Sequence, residues 1–273
     1  MRFQEWTTPG QSDLFEIPDD CCQIIVTGCG AGAGGAGSTG TTGAAGGAAS
    51  PCVVRLPLTV QPGGVLAIYI GAPSIGGIGG NSSSLSSSGF NRHTGIIGRA
   101  LIDQLCASVY PGLPFFIIGW GGESSLGTPC VPDYGYGSFT VAATLLTNGT
   151  APKWVGSSIS NLWPWVNIGQ GSSDGGAQAP PGDPRTYGVA GVNTLNGRGY
   201  GTALASNATY SSGAAGGGCA FGKGGESGQY TGGAPNDGGD ATGYGSGGGG
   251  GSGTSGTSTS GGDGTGGYLR IDY

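Results

Sequence analysis

Residues 213–267 read GAAGGGCAFGKGGESGQYTGGAPNDGGDATGYGSGGGGGSGTSGTSTSGGDGTGG, and the hexapeptide Tyr268-Leu269-Arg270-Ile271-Asp272-Tyr273 follows directly. The tract is nearly half glycine, and a free glycine tail frays into solvent. The hexapeptide alternates apolar and polar side chains, the pattern of a half-buried strand. A strand beyond the tract means that both of its ends are held, so the glycine belongs to a folded body.

Glycine supplies 66 of 273 residues in the whole chain, against a usual share of about 7%. Each ordered glycine loses more backbone freedom than any other residue. Dense main-chain hydrogen bonding, or a partner chain, must offset that loss. Charged residues make up 9%, which sets the chain apart from ordinary disordered sequences, whose charge is high. Lys153 and Lys223 are the only lysines and the arginines are scattered, so there is no basic patch for nucleic acid. The formal charge of −6 favours solubility. No apolar run reaches the roughly 18 residues needed to span a bilayer, and MRFQEWTTPG lacks the apolar core of a signal peptide. The expectation is synthesis in the cytoplasm, no signal peptide and no membrane insertion.

Strand patterns lie outward from the tract. Residues 13–18 (DLFEIP) alternate, and 22–27 (CQIIVT), 52–60 (CVVRLPLTV) and 65–70 (VLAIYI) are rich in β-branched residues. Gln61-Pro62-Gly63-Gly64 is a turn. The Gly/Ala stretch 31–49 cannot hold a helix well and offers no large side chains for a core. Residues 97–110 carry Leu101, Leu105 and Val109 at helical spacing, and a pair of strands fits there nearly as well. Residues 114–120 and 138–146 read as further strands. The stretch 151–187, with three tryptophans and five prolines, reads as an irregular insertion. Collagen is excluded because glycine does not recur at every third position without a break. Local three-residue steps do permit polyproline II-like helices packed backbone to backbone through N–H···O and Cα–H···O contacts.

Several motifs suggest chemistry but lack the context that chemistry needs. Gly30-x-Gly32-x-x-Gly35 follows a strand, yet more glycine follows it where a dinucleotide site needs a helix, and no acid occurs between Asp20 and Asp103. Gly171-Ser172-Ser173-Asp174-Gly175 matches a nucleophile elbow without a following helix, and His93, the only histidine, lies in a polar loop. Asp237, Asp240 and Asp263 offer paired acids or a calcium-repeat likeness, but their spacing does not repeat, and solvated turn aspartates fit better. Three Asn-x-Ser/Thr sites, at Asn81, Asn148 and Asn207, carry no weight without a secretory signal. The seven cysteines form no C-x-x-C pair, so zinc-ribbon spacing is absent. They read as small buried hydrophobes, with one or two disulfides as the alternative. No catalytic residue, cofactor or metal ligand is assigned.

The aromatic residues remain. Trp120, Tyr134, Tyr136, Trp154, Trp163, Trp165, Tyr230 and Tyr244 lie in sequence flanked by glycine or proline. Rings on rigid loops suit sugar stacking or protein hot spots, and local mini-cores would use the same residues. These eight are the candidate receptor-contacting side chains.

The two ends of the chain together resemble the glycine-rich terminal domains of bacteriophage tail fibres and tail-tip adhesins. The matching residues are Trp6, Pro9-Gly10, Phe15-Glu16-Ile17-Pro18, Ile24-Ile25-Val26-Thr27-Gly28 and Gly30-Ala31-Gly32. Further along they are Thr59-Val60-Gln61-Pro62-Gly63-Gly64, Ile70-Gly71, and the closing run GGDGTGGYLRI at 261–271. The likeness covers about 90 residues, and the middle of the chain departs from it. Phage adhesins with stacked polyglycine II helices are similar in composition but lack this strand frame. The resemblance implies a virion structural protein whose glycine-rich loops meet a bacterial surface receptor, either a glycan or an outer-membrane protein.

The expected fold is therefore all-β: a β-sandwich frame with glycine-rich, polyglycine II-like extended segments and little helix. One composite domain comprises strands and a Gly/Ala-rich loop over 1–90, an insertion over 91–200, and a glycine-rich segment with its closing strand over 201–273. The expected role is a non-enzymatic virion component of a phage tail fibre or tail tip that binds the host surface. The alternative is a purely structural virion part, such as a capsid decoration or fibre-joining protein. Other virion tail proteins are expected partners. A homotrimer is expected because fibres commonly are trimeric and glycine-rich surfaces gain from close contact between chains.

Overall fold

The computed structural model describes residues 1–39, 43–44, 46–47, 49–50, 52–79, 94–102, 212–230 and 234–273, together with the backbone of strand residues 84–85, 115–118, 166–167, 210–211 and 231. No helix occurs among the described residues. Five strands lead from the N-terminus: β1 (Phe3–Trp6), β2 (Ser12–Glu16), β3 (Gln23–Cys29), β4 (Cys52–Thr59) and β5 (Val65–Tyr69). The closing strand is Tyr268–Asp272.

These strands build two antiparallel sheets. The first runs β1, closing strand, β3, β4 and then Val166–Asn167. The second runs β2, β5, Thr94–Ile97 and Phe115–Ile118. Alternation along the strands produces one shared core. Ile24 and Val26 from β3, Leu56 and Leu58 from β4, and Leu269 and Ile271 from the closing strand join Phe15, Leu66, Ile68 and Ile96 from the second sheet. Trp6 packs edge-on against Phe15, with ring centroids 5.9 Å apart. Its indole N–H donates to Asp13 Oδ2 at 2.8 Å, so this ring's one donor is paired.

One irregularity sets the geometry described below. In the β3–β4 ladder Val26 opposes Leu56, but Gly28 opposes Val53, so two β4 residues face Thr27. This is a β-bulge, and Arg55 takes the left-handed conformation within it (φ 56°). The Arg55 N–H donates to Thr27 Oγ1 at 3.0 Å. Beyond the bulge the register places Cys29 directly opposite Cys52.

The glycine-rich segments continue the sheets. β3 runs into 30–38, 43–50 runs into β4, β5 runs into 71–79, and 258–267 runs into the closing strand. Their main-chain bonds recur at every third residue. Gly32, Gly35 and Ser38 donate to Thr265, Gly262 and Thr259, while Gly261, Gly264 and Gly267 donate to Gly77, Ser74 and Gly71. Three is the period of the polyproline II helix, which has no internal hydrogen bonds and must satisfy its N–H and C=O groups laterally.

Segment 244–252 occupies the centre. Its N–H groups donate to three neighbours: Gly247 and Gly250 to Gly217 and Ala214, Gly248 and Gly251 to Ala33 and Ala36, and Gly249 and Ser252 to Gly239 and Asn236. Its carbonyls accept from three others: Ser50, Gly47 and Ala44 on one side, Gly225 and Gly228 on a second, and Gly262 and Thr265 on a third. Six segments thus surround one within a single chain. The axes come this close only where no Cβ intervenes. A Cβ built on Gly249 would overlap the Glu226 carbonyl oxygen, and one on Gly248 the Gly262 carbonyl oxygen. The glycine entropy cost is offset by a lateral bond network that needs no second chain.

The expected strands over 13–18, 22–27, 52–60, 65–70 and 268–273 are present, with bounds shifted by one or two residues. Of the two readings of 97–110, helix or paired strands, the part that is described, 97–102, is not helical: Ile97 ends the strand Thr94–Ile97, and Leu101 forms a bridge with Val60. Two adjacent β-branched isoleucines, stiff at χ1, pair against β5 at the start of this range, while Leu105 and Val109 lie outside the described residues. Phe115–Ile118 is a strand. Residues 138–146 and nearly all of the expected insertion lie outside the described residues.

Candidate functional site

The bond register gives the bundle two different ends. The end facing the sheets holds Gly245, which bonds Gly266, and the turn between Cys219 and Gly222. The far end gathers turns: Ser38 bridges Thr259, Tyr210–Ser211 pairs with Gly253–Thr254, Tyr230–Thr231 pairs with Ala234–Pro235, and Gly79 reaches the Thr259 carbonyl. Exposed side chains there include Thr39, Ile78, Asn236, Asp237, Ser255, Thr257 and Ser258. These are mainly hydroxyls and amides, carried on main chain that is anchored on several sides.

Tyr230 lies at this far end. Its ring is half-buried, and its N–H donates to Ser212 Oγ at 3.3 Å. Tyr244 lies at the opposite end, half-buried and stacked on Tyr268 with centroids 5.2 Å apart and planes 21° apart. Trp120, Tyr134, Tyr136, Trp154, Trp163 and Trp165 lie outside the described residues, as do His93 and Ser173.

The three aspartates are exposed, as expected, and each also accepts a hydrogen bond from a neighbouring segment. Asp237 Oδ1 accepts the Ser260 N–H (2.7 Å), Asp240 Oδ1 accepts the Asp263 N–H (2.8 Å), and Asp263 Oδ1 accepts the Gly76 N–H (2.7 Å). Each carboxylate bridges two glycine segments through a charge-assisted bond. Asp263→Ala is expected to cost about 1–2 kcal/mol, read as a lowered midpoint in urea unfolding. Gly30-x-Gly32-x-x-Gly35 opens a glycine segment, and the Gly32 and Gly35 N–H groups are already committed to Thr265 and Gly262.

At the sheet-facing end the structure joins three residues that the sequence left unconnected. Cys29 ends β3, Cys52 begins β4, and Cys219 sits at the turn between two glycine segments. All three side chains are fully buried, and their sulfurs lie within 4.8 Å of one another. Ala49, Ala220, Phe221, Tyr244 and Tyr268 pack around them. Gly245 takes a positive φ of 70° beside Cys29, where an added Cβ would lie 2.7 Å from Sγ. The Phe221 N–H points at Cys219 Sγ (3.4 Å), the Tyr244 carbonyl oxygen lies 2.9 Å from that sulfur, and Ser246 Oγ lies 3.9 Å from it.

Burial pushes the Cys29 and Cys52 thiols well above the ordinary value. Hydrogen bonds from those two thiols, reinforced by the Phe221 N–H, hold Cys219 well below it. Burial and the Glu5 carboxylate also push the neighbouring Tyr268 phenol up.

Cys22 is exposed, whereas the buried three are inaccessible to reagents. Iodoacetamide treatment of the native protein should therefore alkylate Cys22 and spare Cys29, Cys52 and Cys219 until the chain is unfolded, as read by peptide mass mapping.

No protein-family model and no curated protein matches this sequence. Among the described residues no helix is long and apolar enough to cross a membrane.

Proposed function

We propose that this chain is a virion structural protein of a bacteriophage tail fibre or tail tip, and that it attaches the particle to the bacterial surface without catalysing a reaction. The observation that carries this reading is the glycine bundle. Four of its segments are direct continuations of sheet strands, and its far end presents turns that carry Ser and Thr hydroxyls and Asn236, with the half-buried ring of Tyr230. Such a body holds short polar loops rigidly at a distance from its anchoring sheets. Tyr, Ser, Gly and Asn are also the residues that binding loops favour, because they combine flat contact area with adaptable hydrogen bonds at low entropic cost. Hydroxyl and amide groups beside a half-buried ring suit a surface glycan, and an outer-membrane protein is the other receptor class for the same loops.

In this reading Tyr230 contacts the receptor from the far end, and the tryptophans and tyrosines between 120 and 165 supply further contacts. The chain assembles as a homotrimer with other virion tail proteins. The ordered motifs at both ends of the sequence, shared in kind with tail-fibre terminal domains, support the same reading.

The test is a titration of fluorescently labelled full-length chain on cells of the bacterium whose lysate carries the particle, with an adsorption assay in parallel. Saturable binding that blocks adsorption and falls about 10-fold with Tyr230→Ala is expected. Absence of both binding and blocking overturns the proposal.

A further inference from the structure

We propose that Cys29, Cys52 and Cys219 form a three-thiolate site for a thiophilic divalent d10 cation of the zinc class, which ties the glycine bundle to the first sheet. Three separate structural features bring these sulfurs together. The bulge at Thr27 and Arg55 sets the register that makes Cys29 and Cys52 cross-strand partners. The turn closed by the Cys219 N–H to Gly222 carbonyl bond aims the third sulfur at them. Gly245, in its left-handed conformation, clears the space beside Cys29.

The distances suit a metal. A metal–sulfur bond of about 2.3 Å in a trigonal or tetrahedral shell requires sulfurs roughly 3.8–4.0 Å apart, inside the 4.8 Å within which all three lie. Thiolates select soft cations over calcium or magnesium. All three cysteines bind as thiolates, with any thiol protons released to solvent, which leaves a net charge of −1 with a divalent ion, against −2 with a monovalent one. In a fully buried pocket the smaller residual charge is favoured. The surroundings supply outer contacts of the kind that steady a thiolate: the Phe221 N–H donates to Cys219 Sγ, and the Ser246 hydroxyl lies 3.9 Å from the same sulfur. The rings of Phe221, Tyr244 and Tyr268 cover the cluster.

A disulfide is the competing chemistry. It would take two sulfurs and leave the third thiol buried beside it. Three packed thiols that hydrogen-bond to one another and donate to the Tyr244 and Ser50 carbonyls are the second competitor, and they leave the protein without metal. A metal uses all three and links residues far apart in sequence, where a clip removes the most chain entropy.

The test uses the full chain purified under reducing conditions from zinc-supplemented culture. Elemental analysis is expected to find about one zinc per chain, and X-ray absorption at the zinc edge is expected to find three sulfur neighbours at about 2.3 Å. After chelation, Cd2+ should restore one equivalent with a thiolate-to-metal charge-transfer band. Cys219→Ser should abolish that band, whereas the double variants Cys21→Ser/Cys22→Ser and Cys106→Ser/Cys130→Ser should keep it. The absorption measurement on the unmodified chain stands even if Cys219→Ser fails to fold. Metal content at background, a zinc shell without three sulfurs, or a disulfide joining any two of the three in the isolated protein overturns the proposal.

Discussion

Gly249→Ala is expected to lower the stability of the folded chain by about 3 kcal/mol or more, seen by calorimetry as a fall in Tm of roughly 6–12 °C. The new methyl has nowhere to go. It overlaps the Glu226 carbonyl oxygen, lies 2.7 Å from the carbon of that carbonyl, and lies 3.2 Å from the Gly239 nitrogen. All three atoms are main chain, fixed by their own hydrogen bonds, so relief requires moving a whole segment. Gly256→Ala is the matched control. That glycine sits in an exposed turn with φ 78° and nothing within 4 Å of an added Cβ, so the expected cost is the left-handed strain alone, about 1 kcal/mol. The bundle does admit methyl groups elsewhere: Ala31, Ala33, Ala36, Ala44, Ala214 and Ala215 are all buried. The prediction therefore concerns position, and equal effects at 249 and 256 would contradict it.

Removal of residues 268–273 is expected to abolish cooperative folding. The closing strand lies between β1 and β3, with Leu269 opposite both Trp6 and Gly28, and Ile271 opposite both Gln4 and Val26. Its loss breaks two ladders at once and unseats segment 258–267, which bonds to 30–38, 71–79 and the central segment. Point variants that keep the strand in place give the graded form of the test. Leu269 and Ile271 are fully buried in the shared core, so Leu269→Ala and Ile271→Ala should each cost about 2–5 kcal/mol. Urea unfolding with unchanged midpoints would show that the glycine tract does not depend on its closing strand.

These two predictions rest on features of unequal legibility. The strands were readable because side chains announce them: DLFEIP and YLRIDY alternate, and CQIIVT and CVVRLPLTV are β-branched. That the tract is ordered could also be inferred, from the apolar strand beyond it. The central place of 244–252 could not. Glycine has no side chain to mark a partner, and the lateral pairing follows a three-residue register that GSGGGGGS does not encode at any one position. The turn aspartates are exposed, as expected of short acidic residues in Gly-rich sequence, but only the fold shows their partners, such as Asp263 reaching Gly76. The cysteine cluster was hidden for another reason. Its members are scattered along the chain without C-x-x-C spacing, and the cross-strand pair depends on a bulge that a period-two pattern does not reveal. The leucine spacing after Ile97 pointed to a helix because the window gave no sign of the β5 edge waiting to pair with it.

The most direct test of the account is amide hydrogen exchange, resolved by peptide, across the central glycine segment and the turn that follows it. Each amide from Gly247 to Ser252 donates to a carbonyl of a neighbouring segment, so 244–252 should exchange as slowly as the core strands β3 and β4, while the exposed turn 255–258 exchanges quickly. Exchange across 244–252 at the rate of an unstructured glycine peptide would contradict the claim that main-chain bonds alone make this part of the chain rigid.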